Sequence, residues 1–165
     1  MDKKDYSQLC EVIKEQEELL RFQSFSNKDA WNLGAYITEK LYERQITLAV
    51  QICRMNGAVL FQHLMEGTTK DNQRWMQRKF NTVSLTEGSS LRAWAMLGEK
   101  DETVASRGLS EQDYAFCGGG FPIRLKNGEL VGVAIVSNLP HMKDHQVLVD
   151  LIAEWLGVKD VPGVE

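Results

Sequence analysis

The hydrophobic period of this chain switches from helical to alternating twice, and an Asn-Gly pair sits inside each alternating stretch. Ile46, Leu48, Val50 and Ile52 alternate with Thr47, Ala49, Gln51 and Cys53, then Asn56-Gly57 intervenes and Ala58 to Leu64 continues as a second apolar run. Phe121 to Leu125 is followed by Lys126-Asn127-Gly128-Glu129 and by the apolar run Leu130 to Ser137. Asn-Gly is the strongest short hairpin signal because a type I′ turn needs positive φ at both central residues. Two β-hairpins are therefore expected.

Helical spacing fills the rest. Leu9, Val12, Ile13, Gln16, Leu19 and Leu20 share one face over residues 5–21. Ser26-Asn27-Lys28-Asp29 has the form of a capping box and opens a helix carrying Ala30, Leu33, Gly34, Ile37 and Leu41. Asp71 is the expected cap of a helix over 72–85 with Trp75, Met76, Phe80 and Val83, and Gly88-Ser89-Ser90 starts a short one through Leu97. Residues 98–113 are polar and read as a short helix or turn. The last helix, 141–156, carries Leu148, Leu151, Ile152 and Trp155. Helices in pairs between hairpins do not make βαβ units, so a Rossmann fold is excluded and an antiparallel sheet with packed helices is favoured.

With 165 residues the chain is long enough for one domain and its own core. We expect a single domain over 1–165, with 1–4 and 158–165 as frayed tails. Acids outnumber bases 23 to 19, for a net charge of -4, which argues against a general nucleic-acid binder. The longest apolar run, Leu130 to Val136, is too short for a bilayer, which needs about 20 residues. The polar start Met1-Asp2-Lys3-Lys4-Asp5 is unlike a signal peptide. A soluble cytoplasmic protein is the expectation. Cys10, Cys53 and Cys117 form neither a disulfide framework nor a CxxC zinc spacing. The first two read as core fillers. Cys117, beside a glycine run, is expected to titrate below an ordinary thiol if that run supplies N–H donors.

Three constellations could carry chemistry. Gly67-Thr68-Thr69 precedes a helix start, where free N–H groups favour anions, and Lys70, Arg74, Arg78 and Lys79 set four bases against Asp71. A solvated helix face beside a capped turn explains the same letters. Gly118-Gly119-Gly120 admits a ligand or makes a tight corner into a strand. His141 and His145, four apart, could share a metal; the competing reading is a half-buried, hydrogen-bonded His145 on the face of Leu148 and Ile152. No HExxH, P-loop or GxSxG motif occurs.

Taken together these segments resemble a known family. Gly67-Thr68-Thr69-Lys70-Asp71-Asn72 with Trp75, Arg78 and Lys79 is similar to its GTTxDNxxWxxRK segment, and Ser89-Ser90 with Arg92 to its SSxR. Gly118-Gly119 with Phe121-Pro122-Ile123 is similar to GGxFPI, and Val136-Ser137, Leu139-Pro140 and Asp144-His145 to VSGLPxxxDH. The family is that of the heme-degrading-domain proteins, a branch of the GlcG/HbpS-like superfamily, and the resemblance runs from about residue 15 to 156. It implies a profilin-like three-layer α/β/α fold with a five-stranded antiparallel sheet. It also implies homo-oligomers and binding of heme, iron or corrinoid. Three positions depart from the pattern: Cys117 replaces a histidine, Gly120 a serine and Asn138 a glycine. The thiolate of Cys117 would have to serve if that histidine were a ligand.

The expected activity is binding of a small anionic molecule, heme or a related tetrapyrrole being the ligand the resemblance implies. Thr68 and Thr69 would donate hydrogen bonds, Arg78 and Lys79 would supply charge, Gly118 and Gly119 would admit the ligand, and His145 would be donor, base or iron ligand. Two other readings stand beside it: an enzyme of heme or small-metabolite turnover with His145 as acid/base, and a scaffold without a small-molecule site. A scaffold tolerates alanine at Arg78 and His145, a binder loses ligand there, and an enzyme consumes it.

Overall fold

The computed structural model describes residues 1–164. Helices α1 (Lys3–Leu19) and α2 (Asn27–Glu43) precede the hairpin β1 (Ala49–Arg54) and β2 (Val59–Leu64). Helices α3 (Lys70–Thr86) and α4 (Ser90–Lys100), a 3-10 turn at Ala105–Arg107, the hairpin β3 (Gly120–Arg124) and β4 (Leu130–Ser137), and α5 (His141–Leu156) follow. All strand pairs are antiparallel, in the order β2-β1-β4-β3.

The two central strands are covered on both faces. Val50, Ile52, Ala134 and Val136 point towards α2 and α5, meeting Leu33, Ile37, Leu148 and Ile152. Ala49, Cys53, Val133 and Ile135 point the other way, against Met76, Phe80 and Val83 of α3. Both sets of alternating side chains in β1 are buried, because α3 covers the second face. Helix α1 lies outside the sheet, its Leu9, Cys10 and Ile13 packed on Leu91 and Ala95 of α4. Each Val, Leu, Ile, Phe or Met among them taken fully from water contributes about 1.5–3 kcal/mol.

The sheet has four strands, not five. Between α1 and α2 only Phe22 pairs with the far edge: its N–H donates to Arg124 O and its carbonyl accepts from Lys126 N. The link is too short to add a strand there, because Ser26 already caps α2 through a reciprocal bond with Asp29. The β3 edge is therefore covered at one point, whereas β2 is an outer strand with no Lys, Arg, Asp or Glu.

Helix α3 also differs from expectation. It starts at Lys70, and its cap is Thr69 rather than Asp71. Thr69 Oγ1 accepts from Asp71 N while the Asn72 side chain accepts from Thr69 N, which is a capping box. At the chain start Asp2 and Asp5 form another capping box for α1. At the far end Pro162 O accepts from Gln16 Nε2, and Val164 N donates to Gln146 Oε1. Among the described residues no helix is long and apolar enough to cross a membrane.

Candidate functional site

Three of the four sequence segments meet at one place. The start of α3, the loop after β4 with the first turn of α5, and the Cys117–Gly119 loop line a cavity of about 350 Å³. The loop is stitched in by Val136 N, which donates to Gly119 O at 2.8 Å. Asn72 Nδ2 donates to Ser137 Oγ at 3.3 Å and ties α3 to the end of β4. Asn138 sits at the rim with φ 152, a conformation that suits glycine and strains an asparagine.

A buried ion pair forms part of the wall. Lys79 Nζ donates to Asp144 Oδ2 at 2.8 Å and to Val136 O at 2.9 Å, with the two side chains 3% and 2% exposed. Asp144 Oδ1 accepts from Leu139 N at 2.9 Å. Burial raises the Asp144 carboxyl above its ordinary range, and the Lys79 ammonium and the backbone N–H groups of Leu139 and Asn138 oppose that rise. An ammonium carries three donors, so Lys79 keeps one beyond these two bonds.

His141 lies across the cavity. Its Nδ1 accepts from Gly118 N at 3.3 Å, which leaves the ring proton on Nε2. Its ring meets Trp94 edge-on at 4.7 Å. Burial, with the Lys79 charge adding to it, lowers its pKa and keeps it neutral. Cys117 does not behave as expected: burial pushes its thiol up, and the nearby Lys79 only partly offsets this. The thiol is therefore a neutral lining group.

The structure brings Lys79, Gly118 and Gly119 to this site and takes the other expected residues elsewhere. Both glycines serve the protein's own packing: a side chain at Gly118 would collide with His141 O, and one at Gly119 would lie 2.5 Å from Lys79 Nζ. Thr68 Oγ1 donates to Met65 O, and the Thr69 hydroxyl is used as the helix cap. Arg78 donates to Glu111 O and stacks on Trp75 at 4.2 Å, clamping the 111–113 segment to α3.

His145 is a core residue, 1% exposed. Gln16 Nε2 donates to Pro162 O, which turns Gln16 Oε1 towards His145 Nε2 at 2.7 Å. His145 Nδ1 is buried without a partner. Complete burial pushes the His145 pKa down to about 3, so it cannot exchange protons near neutrality. Below the unfolded value of about 6.5 the unfolded chain binds this proton and the folded chain does not. Stability therefore falls as pH drops from about 6.5 towards 3, by at most about 1.4 kcal/mol per pH unit from this group. Urea unfolding at pH 6 and pH 4.5 should show a smaller loss in His145→Gln than in wild type; equal losses would refute this assignment.

Asp144, Ser137, Asn72 and Trp75 were not among the expected site residues, and His141 was expected only as a metal-sharing partner of His145, which the fold buries in the core instead. Lys79 and Asp144 lie 65 positions apart, a pairing that no local spacing reveals. One signal was available: Lys79 falls between Met76, Phe80 and Val83 on the apolar face of α3, where a lysine needs a buried partner.

Comparison with known proteins agrees with the motif reading. The family described as "Haem degrading protein HbpS-like" matches residues 25–153. The UPF0303 protein YE1367 of Yersinia enterocolitica is 36% identical over 146 residues, 88% of this chain and 86% of that protein. The UPF0303 protein YPTB2566 of Yersinia pseudotuberculosis is 35% identical, over 88% and 85%. Among solved structures, Ybr137w protein is similar with a TM-score of 0.82 and 26% identity, covering 90% of this chain and 87% of that one. A PduOC:heme complex is similar with a TM-score of 0.65 and 16% identity, covering 79% and 94%, a likeness of fold.

Proposed function

We propose, from the premise that this chain belongs to the HbpS-like family of haem degrading proteins, that it binds a small molecule carrying acceptor oxygens in the 350 Å³ cavity. The observation that carries this reading is the convergence of three family segments on that cavity around the Lys79–Asp144 pair. The volume suits a small metabolite. Donors among its lining groups are the remaining Lys79 N–H, His141 Nε2–H and the Ser137 hydroxyl. A carboxylate or carbonyl ligand matches them, in keeping with a small anion, while Asp71 at the mouth limits how much negative charge the site accepts.

Haem is the ligand that the family description and the PduOC complex bring forward. The cavity's donor set does not fit an iron ligand. The His141 proton sits on Nε2, Cys117 is held as a thiol, and His145 faces Gln16 inside the core. The reading is therefore of a non-haem organic ligand, bound by a cytoplasmic homo-oligomer. Support for a second copy comes from large apolar side chains left in solvent, Trp31 at 56% and Val59 at 52% exposed.

Native mass spectrometry of freshly purified protein tests both parts. The expected spectrum shows a multiple of the 18.7 kDa chain carrying an organic adduct that is lost in Ser137→Leu. A haem-mass adduct that survives Ser137→Leu would refute the assignment, and a bare monomer would refute the oligomer. Consumption of the released compound by wild-type protein would identify turnover rather than storage or transport.

A further inference from the structure

A larger hollow lies away from this cavity. It occupies about 620 Å³ between α1, α4, the C-terminal end of α3 and the 3-10 turn. Three cations reach it, Lys14, Arg92 and Arg107, and no acid lines it among the described residues. Apart from Thr86 the rest of the wall is apolar, chiefly Leu85, Met96 and Leu109. In a chain of net charge -4 such a lining is against the average.

The three cations are held differently. Arg92 Nη1 is paired with Glu17 Oε2 at 3.0 Å, and the Arg92 guanidinium lies so close over Gly88 that a side chain there would collide with it. This fixes its plane and leaves other N–H groups of the five for a ligand. Glu17 is in turn bound by Ser89 N. Lys14 pairs with Glu11 at the surface. Arg107 has no carboxylate partner among the described residues, and its guanidinium lies 5.9 Å above the Phe116 ring. The 3-10 turn that carries it is seated by Val104 and Phe116 against Ala93 and Leu97, so the cation is presented by a packed element. Beside these charges Leu85 is left 48% exposed, and Met96 offers the adaptable surface that suits a flexible chain.

We infer that this hollow binds an amphipathic organic anion, an aliphatic chain ending in a carboxylate, with the head between Arg92 and Arg107 and the chain along Leu85, Met96 and Leu109. The cations complement the head, and a bidentate guanidinium contact favours a planar carboxylate. The aliphatic wall, without an aromatic side chain, favours a chain over a ring.

The test uses the full chain with the fluorescent polyene fatty acid cis-parinarate as reporter and decanoate and decanol as competitors. Decanoate should displace the reporter at one saturable site, with decanol about tenfold weaker or worse. The double variant Lys14→Gln/Arg107→Gln should weaken decanoate by about tenfold with its melting temperature unchanged. Both side chains lie at the surface, and Arg107→Gln alone should show a smaller loss in the same direction. Equal displacement by decanol and decanoate, no displacement by either, or undiminished decanoate binding in the double variant would each overturn the assignment.

Discussion

Replacing Lys79 by methionine lowers the stability of the fold by about 3–5 kcal/mol, the cost of leaving a buried carboxylate without its counter-charge. The apolar part of the side chain is kept, so the loss reports the ammonium. Asp144 is 2% exposed and cannot reach solvent to recover its hydration. Its remaining bonds come from backbone N–H groups in the loop after β4, which hold it in place whether or not Lys79 is charged. Asp144→Asn alone is also destabilising, because the ammonium then faces a neutral amide. The double variant Lys79→Met/Asp144→Asn should be more stable than the sum of the single losses implies, since neither charge is left alone. Urea denaturation of the four proteins measures this cycle. Additive losses, or a Lys79→Met loss below about 1 kcal/mol, would mean that the pair behaves as a surface contact.

Gly119→Ala should be of similar size. The residue has φ 119, outside the range an alanine adopts easily, and its new methyl would lie 2.5 Å from Lys79 Nζ and 2.6 Å from Val136 O. One neighbour is backbone in a central strand and the other is fixed by two hydrogen bonds, so neither yields cheaply. Strain of about 1–3 kcal/mol and overpacking of about 1–3 kcal/mol together give roughly 4 kcal/mol. For a domain of this length that is a fall in melting temperature of about 8–16 °C. Gly128→Ala is the control: it shares a positive φ of 95, but no atom lies within 4 Å of the added methyl. It should cost only the backbone term. If both variants melt alike, the crowding at Gly119 plays no part.

The elements were legible in the sequence wherever a local rule governs them. The Asn-Gly turns marked both hairpins, and Ser26 and Asp29 marked the start of α2. Strand β4 and helix α5 fall where the apolar pattern put them. The misreadings share a cause. Thr69 rather than Asp71 caps α3 because the choice depends on Asn72 reaching back, a geometry that several sequences with Asp in the first turn share. A fifth strand was expected by resemblance, and only Phe22 stands in its place.

The site was legible as motifs but not as roles. Lys79, Gly118 and Gly119 were placed at the site, yet the glycines serve the protein's own packing and Lys79 spends two of its three donors on the protein's own bonds. Arg78 and His145 stood out as charged and titratable groups, and the fold uses one as a clamp and the other as a core residue. Residues that recur in a motif can be needed to build a cavity as much as to contact what enters it. The partners that decide between these uses, Glu111 O for Arg78 and Gln16 for His145, come from remote parts of the chain.

The two margins of the sheet are unequal, and this limits how copies of the chain could join through it. At β3 the backbone groups beside Arg124 and Lys126 are already taken by Phe22. At β2 no like charges line up to repel an incoming strand. A second copy can meet this one β2 to β2, a contact that uses the same surface on both copies and so closes on itself. Joining through β2 therefore ends in a pair rather than an open chain.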